Sequence, residues 1–211
     1  MNPKNPTAGI ILAAGLSTRF GRPKQLMDLN AKPLLEWVID ACLSSRLDKI
    51  VAVLGADALQ IESGLALKYS DRRLLTIINP QYRDGMSQSL RAGLAAVMQD
   101  FPAVMFLLGD QPLVSSTLID RLLERFRESE KDICVPVHQG KRGNPTLFSS
   151  RFYKRLLTVT GDIGAREVIK AFPEAVLSVE IEDPLPFFDI DTEKDLENLG
   201  TILKNRNSLV F

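Results

Sequence analysis

The sequence is poor in the residues that build disulfide scaffolds, metal clusters and histidine-based sites. Its 211 residues include two cysteines, Cys42 and Cys134, and one histidine, His138. Two distant cysteines without a C-x-x-C pattern argue against a disulfide scaffold or a cysteine-rich zinc site, and they favour a reducing compartment. A single imidazole cannot form a polyhistidine metal site or a histidine pair. We therefore interpret His138 as an exposed polar residue.

An excess of charge of one sign and a long hydrophobic run are also missing. The 26 basic and 26 acidic residues cancel, and the sequence pI is about 6.6. This balance does not favour binding to nucleic acid or to an anionic membrane. No apolar run approaches the roughly 18 residues that span a bilayer, and the N-terminus is short and polar. We expect a cytoplasmic protein without a membrane anchor, folded as a single domain over residues 1–211.

Short apolar runs alternate with longer amphipathic segments along the first half of the chain. The predicted strands there are residues 9–14, 49–55, 74–79 and 103–109, and the predicted helices are residues 32–45, 57–69, 87–100 and 115–129. Strands that are apolar throughout are typical of a parallel sheet buried on both faces. Pro33 suits a first helical turn.

The second half is less regular but continues the alternation. It predicts strands at residues 132–137, 146–148 and 175–181, and helices at residues 164–172 and after Thr192. The pattern as a whole indicates an α/β fold with an open, mostly parallel sheet. Ligands bind outside the carboxyl ends of the strands in such sheets, so functional motifs should directly follow strands.

The segment "GLSTRFGRPK" follows the first predicted strand and begins at Gly15. A glycine-rich loop can direct backbone N–H groups at phosphate oxygens, while Arg19 and Lys24 supply positive charge. Five residues separate Gly15 from Gly21, and Gln25 stands where a Walker A loop has Ser or Thr, so this is not that motif. Taken alone, the segment fits both a phosphate-binding loop and an ordinary solvated loop.

Acidic side chains follow strand-like segments at two further places. Asp110 lies in "LLGDQP" and could hold a magnesium ion that bridges phosphates, or it could cap a turn. Asp189 and Asp191 lie on the same side of an extended segment, and one of them could complete the metal site. Thr192 and Asp195 also fit a helix-capping box, so both interpretations remain open for this cluster.

Six ordered segments together resemble the MobA-like nucleotidyltransferases, most closely the molybdenum cofactor cytidylyltransferases. They are "LAAGLSTRFGRPKQL", "NPQYRDGMSQSLRAGL", "LLGDQP", "GKRGNPTLF", "GDIGAR" and "DIDTEKDL". The resemblance implies a Rossmann-like three-layer nucleotidyltransferase fold with a mostly parallel central sheet. It also implies transfer of a nucleotide from an NTP to a phosphate of a molybdopterin-type acceptor, with release of pyrophosphate and with Mg²⁺ as cofactor. A molybdenum hydroxylase is a candidate recipient of the product.

The resemblance also assigns residues to the site. The implied nucleotide-binding residues are Leu12, Ala13, Ala14, Gly15, Arg19, Lys24, Gly85, Ser87, Ser89 and Asp110. Arg19 and Lys24 would contact the triphosphate and act in catalysis with Asp110, and Asp110 and Asp191 would hold Mg²⁺. The implied acceptor-binding residues are Arg142, Gly143, Asn144, Gly161, Asp162 and Arg166.

Two positions bear on the substrates. Ala14 matches the "AAG" form that accompanies CTP in this family, whereas "LAGG" accompanies GTP, so the resemblance favours CTP. A second glycine would allow closer approach of a purine than the methyl group of alanine does. Asn144 stands where the cytidylyltransferases usually carry histidine, and an amide cannot change its charge near neutral pH. The alternatives are a GTP-using or sugar-phosphate nucleotidyltransferase of the same fold, or a non-catalytic protein that delivers the cofactor.

Overall fold

The computed structural model describes residues 5–15, 23–162 and 164–207. Its strands are β1 (Thr7–Ala13), β2 (Asp28–Leu29), β3 (Lys32–Pro33), β4 (Lys49–Leu54), β5 (Leu74–Ile78), β6 (Ala103–Leu108), β7 (Ile133–His138), β8 (Lys141–Arg142), β9 (Thr146–Ser149) and β10 (Val176–Glu180). Its α-helices are α1 (Leu34–Leu43), α2 (Ala58–Lys68), α3 (Met86–Ala95), α4 (Ser116–Glu128), α5 (Tyr153–Leu156), α6 (Arg166–Ala171) and α7 (Glu193–Asn207).

An eight-stranded, mostly parallel sheet forms the centre of the fold. Seven strands lie in the order β10-β7-β9-β6-β1-β4-β5, and β8 pairs with β7. Strand β1 is parallel to β4 on one side and to β6 on the other, whereas β9 is antiparallel to both β6 and β7. The predicted α/β fold with a mostly parallel sheet is therefore confirmed.

Helices cover both faces of this sheet, because successive side chains of each central strand point to opposite sides. Ile11 of β1 is buried in a cluster with apolar residues of α1, α2 and α4. Ile10, its neighbour, is buried in a second cluster with apolar residues of α3, α5 and α6. The result is three layers, helices on sheet on helices, as the resemblance implies.

A third apolar cluster joins the C-terminal helix α7 to the β2–β3 hairpin. Its buried members are Met27, Leu29, Leu34, Ile190 and Leu199. Ile190 is fully buried, and it lies between the two aspartates of the "DID" segment. This packing fixes the segment against the body of the protein and thereby sets the position of its acidic side chains.

The predicted central elements agree with the structure to within two residues at most ends, but three details were wrong. Helix α3 ends at Ala95, not at residue 100, and residues 96–100 form turns. Pro102 disfavours helical geometry at Phe101, so it limits these turns at their far end but does not explain the end of the helix at Ala95. Pro33 precedes α1 as its N-cap instead of lying in its first turn. His138 is partly buried, with Nδ1 2.8 Å from the Ile181 carbonyl oxygen.

Four short elements were not predicted, namely β2, β3, β8 and α5. Elements of two to four residues are too short to show a hydrophobic period. No helix among the described residues combines the length and the apolar character that a membrane crossing requires.

Candidate active site

A cavity of about 460 Å³ opens at the carboxyl ends of β1 and β6. This volume lies in the range of small-molecule sites. Its lining residues are Leu12, Ala13, Ala14, Gly15, Lys24, Gln25, Tyr82, Arg83, Gly85, Met86, Ser89, Leu108, Gly109, Asp110, Asp162 and Asp191. Residues from five of the six segments quoted above therefore come together at the edge of the sheet where ligands of α/β proteins bind.

Lys24 joins the two carboxylates that the sequence predicts to bind metal. Its Nζ lies 2.9 Å from Asp110 Oδ2 and 3.1 Å from Asp191 Oδ1. The Lys24 side chain is 13% exposed, whereas the Asp191 side chain is 54% exposed. The structure thus brings together residues that are 86 and 167 positions apart in the chain.

Backbone contacts hold Asp110 and the "DID" segment against each other. The Gly109 N–H donates to the Leu12 carbonyl oxygen at 3.0 Å, which fixes the end of β6 beside β1. The Ile190 N–H donates to the Asp110 carbonyl oxygen at 3.2 Å. The placement of both acidic residues therefore follows from the sheet register and from the burial of Ile190.

Asp189 has a different role from Asp191. Its Oδ1 accepts a hydrogen bond of 2.7 Å from Nε2 of Gln111, a buried residue directly after Asp110. Desolvation, followed by the negative charge of Asp110, raises the pKa of the Asp189 carboxyl, while the Gln111 hydrogen bond acts in the opposite direction. Asp189 does not line the cavity, so it supports the segment while Asp191 faces the ligand space.

The donor set at this site fits a hard divalent cation that also binds phosphate. Asp110 Oδ1 is buried and has no hydrogen-bond partner among the described residues. The same described ranges contain no group of three or more His, Cys, Asp or Glu side chains arranged to hold a metal. Mg²⁺ is commonly held by one or two carboxylates together with substrate phosphates and water. Asp110 and Asp191 could therefore hold Mg²⁺ in company with a nucleotide.

Gln25 supports the loop that follows β1. It is 6% exposed, and its Nε2 donates to the Ala13 carbonyl oxygen at 2.7 Å and to the Gly15 carbonyl oxygen at 3.5 Å. Ala13, Ala14 and Gly15, which are predicted to bind the nucleotide, all line the cavity. Arg19, the other predicted triphosphate ligand, lies outside the described residues.

The segment predicted near the base and ribose forms a further part of the cavity wall. Gly85 and Ser89 line the cavity, whereas Ser87 is buried in α3 and does not. Gly85 has φ 101°, and a Cβ there would lie 2.7 Å from the Gly161 carbonyl carbon. Only glycine fits this position without displacing the neighbouring loop.

The loop around Gly161 is joined directly to this wall. The Ser87 N–H donates to the Gly161 carbonyl oxygen at 3.0 Å, and the Met86 N–H donates to Asp162 Oδ1 at 3.1 Å. Both donors belong to the first turn of α3, whose N–H groups have no partners within the helix. Asp162 is the one predicted acceptor residue that lines the cavity.

The remaining predicted acceptor residues lie outside the cavity wall. Arg142 is exposed in β8, and Arg166 is exposed at the start of α6. Gly143 packs against the Phe187 ring, and a Cβ on Gly143 would lie 1.7 Å from Phe187 Cδ1. Asn144 follows and is partly buried. The structure therefore places the "RGN" segment against the residues that lead to Asp189 and Asp191.

Residues 9–176 match the model of the MobA-like NTP transferase domain. The chain belongs to this family. The MobA-like NTP transferase described here is accordingly a nucleotidyltransferase. Lys24 and Asp110 lie within the matched residues, whereas Asp191 lies beyond them.

Relatives of this MobA-like protein are named for different activities. The molybdenum cofactor guanylyltransferase of Vibrio parahaemolyticus is 31% identical, over 93% of this chain and 96% of its own. The nicotine blue oxidoreductase of Paenarthrobacter nicotinovorans is 28% identical, over 90% of this chain and 95% of its own. A crystal structure of Rv0371C from Mycobacterium tuberculosis H37Rv in complex with manganese is 26% identical, with a TM-score of 0.76 and coverage of 92% and 98%.

Several residues of the MobA-like site were not predicted from the sequence. They are Gln25, Tyr82, Arg83, Met86, Leu108 and Gly109 in the cavity wall, and Gln111 behind it. Each is adjacent in sequence to a predicted residue or lies in the same quoted segment. Adjacency was therefore an available signal, although it could not separate a buried amide such as Gln25 from a surface residue.

Proposed function

We propose that this MobA-like nucleotidyltransferase moves CMP from CTP onto the terminal phosphate of a molybdopterin-type acceptor, the molybdenum cofactor. The observation that carries the proposal is the contact of Lys24 with Asp110 and Asp191 in a nucleotide-sized cavity at the ends of β1 and β6. The acceptor follows from the resemblance in six segments and from the relative named as a molybdenum cofactor guanylyltransferase.

The proposed reaction is an in-line displacement at the α-phosphorus of CTP. An oxygen of the acceptor phosphate forms the new P–O bond, and the bond between the α-phosphorus and the bridging oxygen to the β-phosphate breaks. Pyrophosphate leaves with that electron pair. The acceptor phosphate is already ionised near neutral pH, so the reaction needs no histidine base, and positioning and electrostatics provide most of the catalysis.

Each residue of the site has its own proposed role in this reaction. Lys24, with Arg19 from the loop after β1, would neutralise charge on the leaving pyrophosphate. Asp110 and Asp191 would hold Mg²⁺, which would supply positive charge that reduces the repulsion between the phosphates and the incoming acceptor. The backbone of Ala13–Gly15, supported by Gln25, would bound the nucleotide at the floor of the cavity.

Ala14 supports the choice of CTP. It lines the cavity and is 5% exposed, so its methyl group occupies space that a glycine would leave free. A larger purine needs closer approach to this backbone than a pyrimidine does. GTP is the second candidate, because it is favoured by the name of the Vibrio relative.

Measuring pyrophosphate release with CTP or GTP, Mg²⁺ and a panel of acceptors tests the proposal. We expect release with CTP and the molybdenum cofactor, little with GTP, and none with sugar phosphates. Ala14→Gly should shift the preference towards GTP, and Ala95→Gly at the far end of α3 is a control that should leave it unchanged. A wild-type preference for GTP would contradict the base assignment, and tight binding of nucleotide without turnover on any acceptor would favour a cofactor-delivery protein.

A further inference from the structure

The ammonium group of Lys24 lies where the proposed metal ligands converge. Its Nζ is within 3.1 Å of an oxygen of Asp110 and an oxygen of Asp191, and these are the carboxylates proposed to hold Mg²⁺. The Lys24 and Asp110 side chains are 13% and 32% exposed, so solvent screens this contact less than it screens the contact with Asp191, which is 54% exposed. One positive charge already balances part of the negative charge of this pair.

A divalent cation on the same oxygens would compete with the ammonium. Mg²⁺ needs oxygen ligands at about 2.0–2.1 Å. The ammonium already contacts both carboxylates at hydrogen-bond distance, so a metal on the same pair would lie close to it and repel it. Asp110 Oδ1, buried and without a partner among the described residues, offers the metal a first oxygen, but Asp191 is shared.

The backbone of Lys24 is held in place, whereas its side chain borders the open space of the cavity. Lys24 begins a short 3₁₀-helix, and the next residue, Gln25, is bound to the loop after β1. Both Lys24 and that loop line the cavity. A four-carbon side chain can therefore redirect its ammonium from the carboxylates to phosphates in the cavity without a change of the main chain.

We infer that Lys24 is a placeholder cation: it neutralises Asp110 and Asp191 until a metal–nucleotide complex arrives, and then moves to the phosphates. The inference rests on the proposed metal role of the two carboxylates. Under this inference the triphosphate triggers the movement, because its phosphates attract the ammonium and add oxygen ligands to the two carboxylates found among the described residues. Free metal alone should bind weakly, so metal and nucleotide enter together.

Binding of Mn²⁺ alone, followed by the electron paramagnetic resonance signal of the free ion, tests this role. Lys24→Met removes the charge and keeps the length of the side chain, and we expect it to bind Mn²⁺ about tenfold or more tightly than the wild type in the absence of nucleotide. Mn²⁺ should also raise the Tm of the variant more than that of the wild type, because a ligand stabilises the folded state it binds. Equal or weaker binding by the variant would overturn the inference.

Three further variants make the result specific. Lys49→Met removes a charge at the opposite end of β4 and should leave Mn²⁺ affinity unchanged. Lys24→Met combined with Asp191→Asn should lose the gain, because the shared carboxylate is gone. Lys24→Gln repeats the test with a polar side chain if the Met variant does not fold, as judged by circular dichroism.

The outcome is separable from that of the proposed reaction. Mn²⁺ binding needs neither CTP nor the acceptor, so a different substrate would leave this test intact. Tighter binding by Lys24→Met without pyrophosphate release by the wild type would support the placeholder and contradict the reaction. Pyrophosphate release by the wild type, together with unchanged Mn²⁺ affinity in Lys24→Met, would support the reaction and contradict the placeholder role.

Discussion

Asp110 is the residue on which the contacts of the site converge. Its Oδ2 pairs with Lys24, its carbonyl oxygen accepts from the Ile190 N–H, and its Oδ1 is buried without a partner among the described residues. A buried carboxylate oxygen without a donor is costly unless a cation or a ligand completes it. This buried Oδ1 of Asp110 is the strongest indication from a single residue that a bound group completes the site.

We expect Asp110→Ala to reduce the rate of pyrophosphate release about a hundredfold or more, which is the range for removal of a main electrostatic contributor. The measurement is steady-state pyrophosphate release with CTP, Mg²⁺ and the molybdenum cofactor. Asp100→Ala, an exposed residue before the opposite end of β6, is the control and should retain the wild-type rate. A folded Asp110→Ala protein with a near-normal rate would contradict the metal assignment.

The charged residues of the site could be predicted from the sequence, but their neutral partners could not. Asp110 and Lys24 follow the ends of apolar strands, where ligands bind, and the six segments identify them together. Gln25 and Gln111 carry no such signal, because an amide has the same appearance in sequence whether it is buried or exposed. Which of Asp189 and Asp191 faces the cavity depended on the contact of Gln111 with Asp189.

At the scale of secondary structure, the register of β1 with its neighbours builds the cavity. Leu12 pairs with Leu108 of β6, and Ala13 pairs with Leu54 of β4, so the loops after all three strands begin side by side. These strands could be predicted because they are apolar throughout. Their order in the sheet could not be predicted, because the periodicity of a strand does not identify its neighbours.

Gly55, directly after β4, should be essential to the shape of the nucleotide loop. A Cβ there would lie 2.6 Å from the Ala14 carbonyl oxygen and 2.6 Å from Tyr82 Cβ, so alanine must displace one wall of the cavity. We expect Gly55→Ala to weaken CTP binding about tenfold or more, measured by calorimetry, because a misplaced loop loses its contacts.

Gly64 provides the matched control for that substitution. It lies inside α2, and a Cβ there would meet nothing within 4 Å. Gly64→Ala should leave CTP affinity unchanged and stabilise the fold by about 0.5–1 kcal/mol, because alanine favours a helix. Equal effects of the two substitutions on CTP affinity would contradict the steric account.

The start of α7 confirms the capping prediction and links the helix to Asp191. The Asp195 N–H donates to Thr192 Oγ1 at 3.2 Å, and Asp195 Oδ2 accepts from Thr192 Oγ1 at 2.8 Å and from the Asp191 N–H at 3.1 Å. The two open interpretations of this cluster therefore hold together in part: Thr192 and Asp195 start the helix, and Asp191 faces the cavity.

This cap predicts a pH dependence of stability. The hydrogen bond from the Thr192 hydroxyl lowers the pKa of Asp195 below its ordinary value of 3.8. Ionised Asp195 therefore contributes stability that is complete above pH 3.8 and is lost as the pH falls through its lower folded-state pKa. Urea unfolding of wild type and Asp195→Asn over this range should give a difference that shrinks towards acid. A difference that grows towards acid would contradict the cap.

At the scale of the whole molecule, three apolar clusters hold the two halves of the site together. Two of them fix the helices to the faces of the sheet, and the third fixes α7 and Ile190 to the β2–β3 hairpin. The layered architecture could be predicted from the alternation of strands and helices. The antiparallel β9 between β6 and β7 could not, because four residues show no directional pattern.

The arrangement of the two predicted acceptor segments likewise depends on the whole chain. Gly161 and Asp162 bind the first turn of α3, while Gly143 packs on Phe187 before the "DID" segment. The two predicted acceptor segments thus contact different elements: one contacts the first turn of α3, and the other contacts a residue shortly before the two carboxylates. Their separation in sequence gave no indication of this arrangement.

We propose that the protein transfers CMP to a phosphate of the molybdenum cofactor. The most direct test of this proposal is mass spectrometry of the acceptor after incubation with CTP, Mg²⁺ and the wild-type protein, with pyrophosphate measured in the same sample. We expect an acceptor that is heavier by one cytidylyl group and an equal amount of pyrophosphate, and we expect both products to be lost in Asp110→Ala. An unmodified acceptor, or an acceptor carrying a guanylyl group in preference when both nucleotides are present, would contradict it.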